Sequence, residues 1–328
     1  MKKAAILVLL VMALACAAMP ATAAAKAGWP EQLKFMAGPP GGNWFALGSA
    51  FADMWSKGVL QTTSSSGGAV SNIINSDNKK GDFGFSNTAI LGAAAKGEQA
   101  FLGRPTKNAV CMANLYTQYT YFIMRKDFAE KHGITKLGDI FTKKIPVRMA
   151  TLKPGTGSEF VVKTLFQRGY GISYKDIKKM GGSMEFASYS GGADLLADNH
   201  IDLFAFSVGR VASVVMNIES NTKVVILPVD DDALKALSQA YGTVTFTVKP
   251  GTYKCVTKPV KTVGDYTCVV IRKDLPDDLV YELCKTMWKN KASLAKAVKD
   301  IGELNPKEAV PAGVASHPAA VKFWKEAK

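Results

Sequence analysis

A unit of strand, glycine- or serine-rich loop and helix repeats along most of this 328-residue chain. In its first copy, residues 33–37 are apolar like a short strand. A loop follows, and apolar residues three to four positions apart between Trp44 and Trp55 indicate a helix. Further copies of the unit begin near Val59, Asp82, Ile145, Met184 and Asp202. This repetition predicts an α/β fold with mainly parallel sheets.

The first residues have the features of an export signal. Two lysines precede an apolar run over residues 4–18, and small residues at 21–23 are typical of a cleavage site. The run is too short to span a membrane. We therefore expect residues 1–24 to be a signal peptide and the protein to act in the periplasm. Lipid attachment at Cys16 is a minor alternative, because Leu14 is large for the place it would occupy there.

Four cysteines follow the predicted signal, namely Cys111, Cys255, Cys268 and Cys284. An oxidising compartment permits two disulfides among them. Cys255 and Cys268 lie in segments that resemble strands on either side of residues 257–264, so a bridge between these two is the favoured pair. The equal alternative is that all four are buried, small apolar residues.

The chain is basic, with 41 Lys and Arg against 27 Asp and Glu and a formal charge of +14. Such an excess is typical of proteins that bind nucleic acid or a membrane surface. Here the charge is dispersed, and its densest stretch, residues 125–179, alternates with apolar residues at helix and strand periods. No recognition helix or aromatic RNA-binding motif accompanies it. We therefore predict no nucleic-acid partner, and expect the excess to attract anionic solutes.

The motifs of several enzyme classes are missing from the sequence. Residues 155–158 lack the lysine of a phosphate-binding loop, and residues 38–43 lack the glycine spacing of a dinucleotide site. No nucleophile elbow is present. His132, His200 and His317 stand apart from other metal-ligand residues. The sequence therefore predicts a protein that is not an enzyme and has no cofactor and no metal.

The chemistry of the chain is concentrated in the loops that precede helices. Six of these loops place Gly, Ser, Thr or Asn where a helix begins, and two have paired glycines after a serine, at 66–68 and 190–192. Helix starts carry free backbone amides and partial positive charge. Ordinary N-capping explains any one such loop. Several converging on a cleft would bind a carboxylate or a similar small anion.

The order of these loops resembles the TAXI family, the TRAP-associated extracytoplasmic immunogenic proteins, which are solute receptors of TRAP transporters. The resemblance extends over about residues 34–327. It rests on these segments: 41–48 (GGNWFALG), 66–72 (SGGAVSN), 80–87 (KGDFGFSN), 113–116 (ANLY), 133–139 (GITKLGD), 154–158 (PGTGS), 202–206 (DLFAF), 274–283 (DLPDDLVYEL) and 317–320 (HPAA).

The resemblance implies a two-lobed periplasmic-binding-protein fold of the second structural class, with the ligand in a cleft between the lobes. Residues 28–144 and 246–328 would form lobe 1, and residues 145–245 lobe 2. The ligand would be a small organic anion, such as 2-oxoglutarate or the amino acid glutamate, and the partner an ion-gradient-driven TRAP permease in the membrane. We expect a monomer. The alternatives are a receptor of the same fold for an ATP-driven importer or a sensor kinase, and a secreted enzyme.

The ligand contacts that we expect come from the loops of both lobes. Trp44 and Tyr116 would form walls of the site, and the others would supply amide or hydroxyl donors. The full set is Asn43, Trp44, Ser66, Ala69, Val70, Ser86, Asn87, Tyr116, Thr156, Gly157 and Ser158. For Trp44 the equal alternative is a core anchor of its own helix.

Two features near these loops differ from the family or add to it. After Tyr116 the family often has Pro-Glu, whereas this chain has Thr117 and Gln118. This change removes a charge near the rim of the predicted cleft. Arg125 and Arg210 are candidate carboxylate clamps, although each is more often a surface residue.

Overall fold

The structure is a computed structural model and describes residues 26–38 and 43–327. The predicted signal peptide over residues 1–24, with Cys16, lies outside the described residues. Within the described residues, none of the helices has the length and apolar character needed to cross a membrane.

Strands and helices alternate along the described residues. The ten strands are β1 (Leu33–Met36), β2 (Thr62–Ser65), β3 (Phe83–Asn87), β4 (Ala109–Arg125), β5 (Arg148–Thr151), β6 (Ser183–Phe186), β7 (Leu203–Val208), β8 (Val224–Ile226), β9 (Val244–Val248) and β10 (Val260–Arg272). The first seven α-helices are α1 (Asn43–Gly58), α2 (Ala69–Asp77), α3 (Thr88–Lys96), α4 (Lys126–His132), α5 (Gly138–Thr142), α6 (Gly157–Gly169) and α7 (Tyr174–Lys179). The other six are α8 (Tyr189–Ala197), α9 (Ser213–Asn221), α10 (Asp231–Tyr241), α11 (Asp277–Lys289), α12 (Lys291–Ala297) and α13 (Pro318–Glu326). Two short 3₁₀ helices span Gln99–Phe101 and Lys299–Glu303.

The described strands belong to one mixed sheet. Eight of them lie in the order β2-β1-β3-β10-β4-β7-β5-β6, with β8 paired to β4 and β9 paired to β10. Pairing is parallel within the first half (β2, β1, β3) and within the second half (β7, β5, β6). The long strands β4 and β10 are antiparallel to each other and to their other neighbours. The predicted α/β class is therefore confirmed, but the prediction of a mainly parallel sheet is wrong, because these two strands form its centre.

The strands β3 and β7 approach the centre of the sheet from opposite ends. Asn87, the last residue of β3, pairs with Thr267 of β10, which pairs with Tyr116 of β4. Val208, the last residue of β7, pairs with Tyr119 of β4. The two carboxyl ends are therefore only about 10 Å apart along β4, at 3.4 Å per residue. Helices that follow the parallel strands begin around this point.

Apolar side chains pack on both faces of the sheet. One face carries a continuous core that joins α2 and α3 to α6 and α10 and includes Ile90, Leu165 and Leu237. The opposite face carries two separate cores, one under α1, α11 and α13 and one under α8 and α9. On this second face the middle of the sheet lies between two groups of helices. This arrangement fits the two-lobed α/β architecture that the sequence predicts.

The start of β2 differs from the sequence prediction. Val59 and Leu60, which we predicted to begin the strand, both donate their amides to the carbonyl of Trp55, at 2.8 and 2.9 Å. These bonds complete the last turn of α1. The strand therefore begins only at Thr62.

The four cysteines in the described part of the chain are free. Cys111 and Cys268 are buried side by side in the continuous core, and Cys284 is buried in α11. Cys255 lies in a turn, where its amide donates to a Glu219 carboxylate oxygen at 3.0 Å and burial raises its thiol pKa to about 12. The expected Cys255–Cys268 bridge is therefore absent, because Cys268 is buried in the continuous core whereas Cys255 packs against the core under α8 and α9 on the opposite face. Three of the four fit the alternative of buried apolar residues.

Candidate functional site

Several helices start around Tyr116 and Tyr119, where the carboxyl ends of β3 and β7 meet. We call this region the central junction. It consists of these two tyrosines and the first turns of α1, α2, α3, α6 and α8. Both halves of the sheet contribute helix starts to it, so predicted contacts that are far apart in sequence come together here.

The first pair of predicted contacts is hydrogen-bonded. The indole Nε1 of Trp44 donates to the hydroxyl of Tyr116 at 3.1 Å, and the Trp44 ring lies 5.7 Å from that of Phe85. Tyr116 is buried, and this burial raises the pKa of its hydroxyl well above the usual value. The phenol therefore stays neutral, and Trp44 is half-buried beside it. Asn43 begins the same helix and is exposed.

Helix α2 is held in place by Asn72, a residue that we did not predict as part of the site. Its buried Nδ2 group donates to three main-chain carbonyl oxygens at the carboxyl ends of β1 and β3, at 2.8 to 2.9 Å. Its Oδ1 accepts from the amide of Gly68 at 3.1 Å. Gly68 is the N-cap and has no side chain with which to cover the first-turn amides. The amides of Ala69 and Val70 are therefore left without a capping side chain.

Ser86 and Ala69, both predicted contacts, bond to each other. The Ser86 hydroxyl donates to the carbonyl of Ala69 at 2.8 Å, and both residues are buried. This bond fastens the start of α2 to β3. Val70 is half-buried beside them, and Ser66 is exposed in the preceding loop.

The start of α3 is already occupied by a carboxylate of the protein. The amide of Ala89 donates to both carboxyl oxygens of Asp265, at 3.1 and 3.3 Å, and the amide of Tyr266 donates at 2.8 Å. Asp265 is buried, and burial raises its pKa to about 7. The anion that a free helix start would attract is thus supplied by β10. Local sequence patterns could not reveal this contact, because Asp265 is 176 positions away from Ala89.

The start of α6 contains three predicted contacts. Thr156 is its N-cap, accepting from the Glu159 amide at 3.2 Å. The Ser158 hydroxyl donates to the carbonyl of Ser207 at 3.1 Å and accepts from its amide at 2.9 Å. Both hydroxyls are therefore bonded to the protein. The remaining predicted contact, Gly157, lies against Asn87 of the other half.

Two further residues of the second half lie at the junction. The hydroxyl of Tyr189 donates to the carbonyl of Ser207 at 2.8 Å, while its ring is 39% exposed. Arg210 follows β7 and has an exposed side chain. Arg125, the other candidate clamp, instead pairs with Asp127 at 2.6 Å beyond the far end of β4. Of the two arginines, only Arg210 is at the junction.

The 3₁₀ helix Lys299–Glu303 brings acidic groups to the junction. A carboxyl oxygen of Glu303 accepts from the Thr117 amide at 2.9 Å and from its hydroxyl at 2.6 Å. The Asp300 carboxylate lies against Gly209. A carboxylate therefore lies beside Thr117 although the Pro-Glu of the family is missing, because Glu303 reaches this position from 186 residues away.

A separate groove of about 300 Å³ lies at the opposite end of the first half. Lys34, Lys80, Asp82 and Arg272 are among its lining residues. Arg272 bonds to Asp82 at 2.8 Å and to Asp274 at 2.9 Å. Much of the charge in this groove is therefore compensated within the protein.

The fold resembles several solved proteins. PhnD1 from Prochlorococcus marinus (MIT 9301), in complex with methylphosphonate, has a TM-score of 0.55 at 15% identity, over 90% of this chain and 98% of that one. XAC2383 from Xanthomonas citri, bound to ATP, has a TM-score of 0.54 at 13% identity, over 90% and 95%. MatC from Rhodopseudomonas palustris, with bound malate, has a TM-score of 0.53 at 15% identity, over 91% and 99%. The shared fold is that of periplasmic binding proteins.

The sequence itself matches a family profile. The profile of the NMT1-like family extends over residues 35–327, which is nearly all of the chain after the predicted signal. The chain belongs to the NMT1-like family.

Proposed function

We propose that this protein is an extracytoplasmic solute-binding receptor that holds a small organic anion at the central junction. The ligand would be a carboxylate or an amino acid, of the kind represented by 2-oxoglutarate and glutamate. One observation carries the proposal: helix starts from both halves of the sheet converge on Tyr116 and Tyr119. The amides of Ala69 and Val70 at the start of α2 have no capping side chain, and together with the helix dipole they would attract a carboxylate without a metal.

The proposed contacts are the residues predicted from the sequence, with their roles refined. Trp44 and Tyr116 form a wall, and Gly157 supplies a main-chain amide from the second half. Ser86 and Ser158 hold the helix starts, because their hydroxyls are bonded to main-chain atoms. The other proposed contacts are Asn43, Ser66, Ala69, Val70, Asn87 and Thr156.

The proposal includes two lobes that move relative to each other. Residues 28–144 with 246–328 form lobe 1, and residues 145–245 form lobe 2. Strand β10 pairs with β3 of the first half, β4 pairs with β7 of the second half, and the two pair with each other, so they would act as the hinge. Closure would bring the donors of both lobes onto the solute and bury it.

The proposed partner is an integral-membrane TRAP permease driven by an ion gradient, to which a monomeric receptor delivers its solute after export. This narrower assignment rests on the resemblance to the TAXI family. A neighbouring gene for a protein with many membrane spans would support it. A neighbouring ATPase gene would instead favour an ATP-driven importer.

A thermal-shift screen tests the function directly. The chain from residue 25 onwards is heated with carboxylates, amino acids and neutral sugars, and hits are confirmed by calorimetric titration. We expect a small anion to raise the melting temperature, because a ligand that binds only the folded state stabilises it. Stabilisation by sugars alone would contradict the proposal. Recovery of the bound carboxylate unchanged after long incubation would separate a receptor from an enzyme.

A further inference from the structure

Two residues of opposite charge, Arg210 and Asp300, face the central junction from different halves of the sheet. Neither belongs to any of the ion pairs formed among residues 26–38 and 43–327. The Asp300 carboxylate lies against Gly209, the residue before Arg210, and Lys299 and then Arg210 oppose the rise in its pKa. Because neither charge is paired within these residues, both are available to a ligand.

The main chain of Arg210 is fixed by two tyrosines beneath it. Its carbonyl accepts from the hydroxyl of Tyr121 at 2.6 Å and from that of Tyr253 at 3.2 Å. The Tyr253 hydroxyl also accepts from the amide of Ala212 at 3.0 Å. The loop after β7 therefore holds its position, while the guanidinium at its tip is exposed. A guanidinium placed in this way is suited to a carboxylate.

Asp300 is the second residue of the 3₁₀ helix Lys299–Glu303, which approaches this loop from the first half. A β-carbon added to Gly209 would lie 2.7 Å from its Oδ2, so the carboxylate touches the residue next to Arg210. Asp300 is half-buried, and its carboxylate accepts no hydrogen bond from the described residues. Burial, and then the Glu303 carboxylate, raise its pKa. A half-buried carboxylate without a partner is unfavourable, and a cationic group of a ligand would remove that cost.

We propose that Arg210 binds the carboxylate of the solute and Asp300 its ammonium group, so that the preferred solute is an amino acid rather than a simple dicarboxylate or oxo acid. This inference rests on the proposed function and narrows it. Glu303 adds negative charge on the same side, although its carboxylate is already bonded to Thr117.

Matched pairs of 2-amino and 2-oxo acids test this assignment, because the two members differ only at C2, which bears an ammonium group in one and is a carbonyl in the other. Calorimetric titrations would compare L-glutamate with 2-oxoglutarate, L-alanine with pyruvate and L-leucine with 4-methyl-2-oxopentanoate. For the pair that binds, we expect the amino acid to bind at least about tenfold more tightly. Asp300→Asn should remove this preference, and Arg210→Gln should weaken binding of both members.

Asp194→Asn and Lys249→Gln are matched controls, since Asp194 lies in α8, Lys249 follows β9, and both side chains are exposed. These variants should bind as the wild type does. An oxo acid that binds as tightly as its amino acid would overturn the inference and leave the proposed function standing. Equal weakening of the binding of both members by Asp300→Asn would likewise overturn the inference and leave the proposed function standing. Failure of every carboxylate and amino acid to bind would overturn both the inference and the proposed function. The comparison of each pair on the wild type does not depend on whether the variants fold.

Discussion

Asn87 and Gly157 touch each other across the two halves of the sheet. A β-carbon added to Gly157 would lie 2.2 Å from Oδ1 of Asn87, far closer than such atoms approach. Asn87 ends β3, and Gly157 is the first residue of α6. The two helix starts at the junction can therefore come this close only because residue 157 lacks a side chain.

Gly157→Ala should disturb the junction directly. The added methyl group must displace the Asn87 side chain, so we expect a loss of stability of about 1 to 3 kcal/mol and weaker ligand binding. Urea denaturation and calorimetric titration measure the two effects. The double variant with Asn87→Ala should recover most of the stability. Gly302→Ala, where an added β-carbon meets no atom within 4 Å, is the control. Equal effects of the two glycine substitutions would contradict this account.

Trp44→Phe tests the wall of the site. The change removes the donor to Tyr116, so we expect a loss of about 1 kcal/mol in the free energy of unfolding and a lower affinity for the solute. Trp29→Phe is the matched control, because the Trp29 indole donates to Asp278 at the exposed surface. Unchanged affinity in Trp44→Phe would show that this side chain is only a core anchor.

Asn72→Ala should destabilise the fold more than other polar substitutions near the site. It removes four hydrogen bonds and leaves three buried carbonyl oxygens without this donor. We expect a loss of about 3 kcal/mol, measured by denaturant unfolding. Ser71→Ala, the neighbouring change at an exposed hydroxyl, should cost less than about 1 kcal/mol. Similar losses of stability in Asn72→Ala and Ser71→Ala would contradict the proposed role of Asn72 in holding α2.

Asp265→Asn should change how stability depends on pH. Burial raises the pKa of the folded carboxyl to about 7, whereas an unfolded aspartate has a pKa of about 3.9. Between these values the folded chain binds the extra proton, so the contribution of Asp265 to the free energy of unfolding falls as pH rises. It is constant below about pH 4 and above about pH 7.

The free energy of unfolding of the wild type and of Asp265→Asn is measured at several pH values between about 4 and 7. The difference between the two isolates the contribution of Asp265. The stability of the wild type relative to the variant should fall with pH, by at most about 1.4 kcal/mol per unit. The amide oxygen of the variant can still accept from Ala89, which makes it a conservative change. A difference that is independent of pH would show that the pKa of Asp265 is not raised by burial.

Helix starts were the part of the fold most open to prediction from sequence. Asn43 and Gly157 begin helices where a short apolar run is followed by small polar residues. These signals are local, so periodicity and loop composition reveal them. That loops of both halves would meet was instead implied by the resemblance to the TAXI family.

The positions of the acidic groups and the centre of the sheet were harder to predict from the sequence, because they depend on long-range pairing. Asp265 reaches α3, and Glu303 reaches Thr117, from 176 and 186 positions away. The apolar and aromatic residues over 119–125 indicate only the last part of β4, which extends from Ala109 to Arg125. Pairing with β10 extends it through Asn114 and polar neighbours that break the apolar pattern.

A crystal structure with the solute identified by thermal shift tests the central claim most directly. We predict density for the solute at the junction, beside Tyr116 and between the starts of α1, α2 and α6. Density in the groove near Lys80 and Arg272, with none at the junction, would contradict the account.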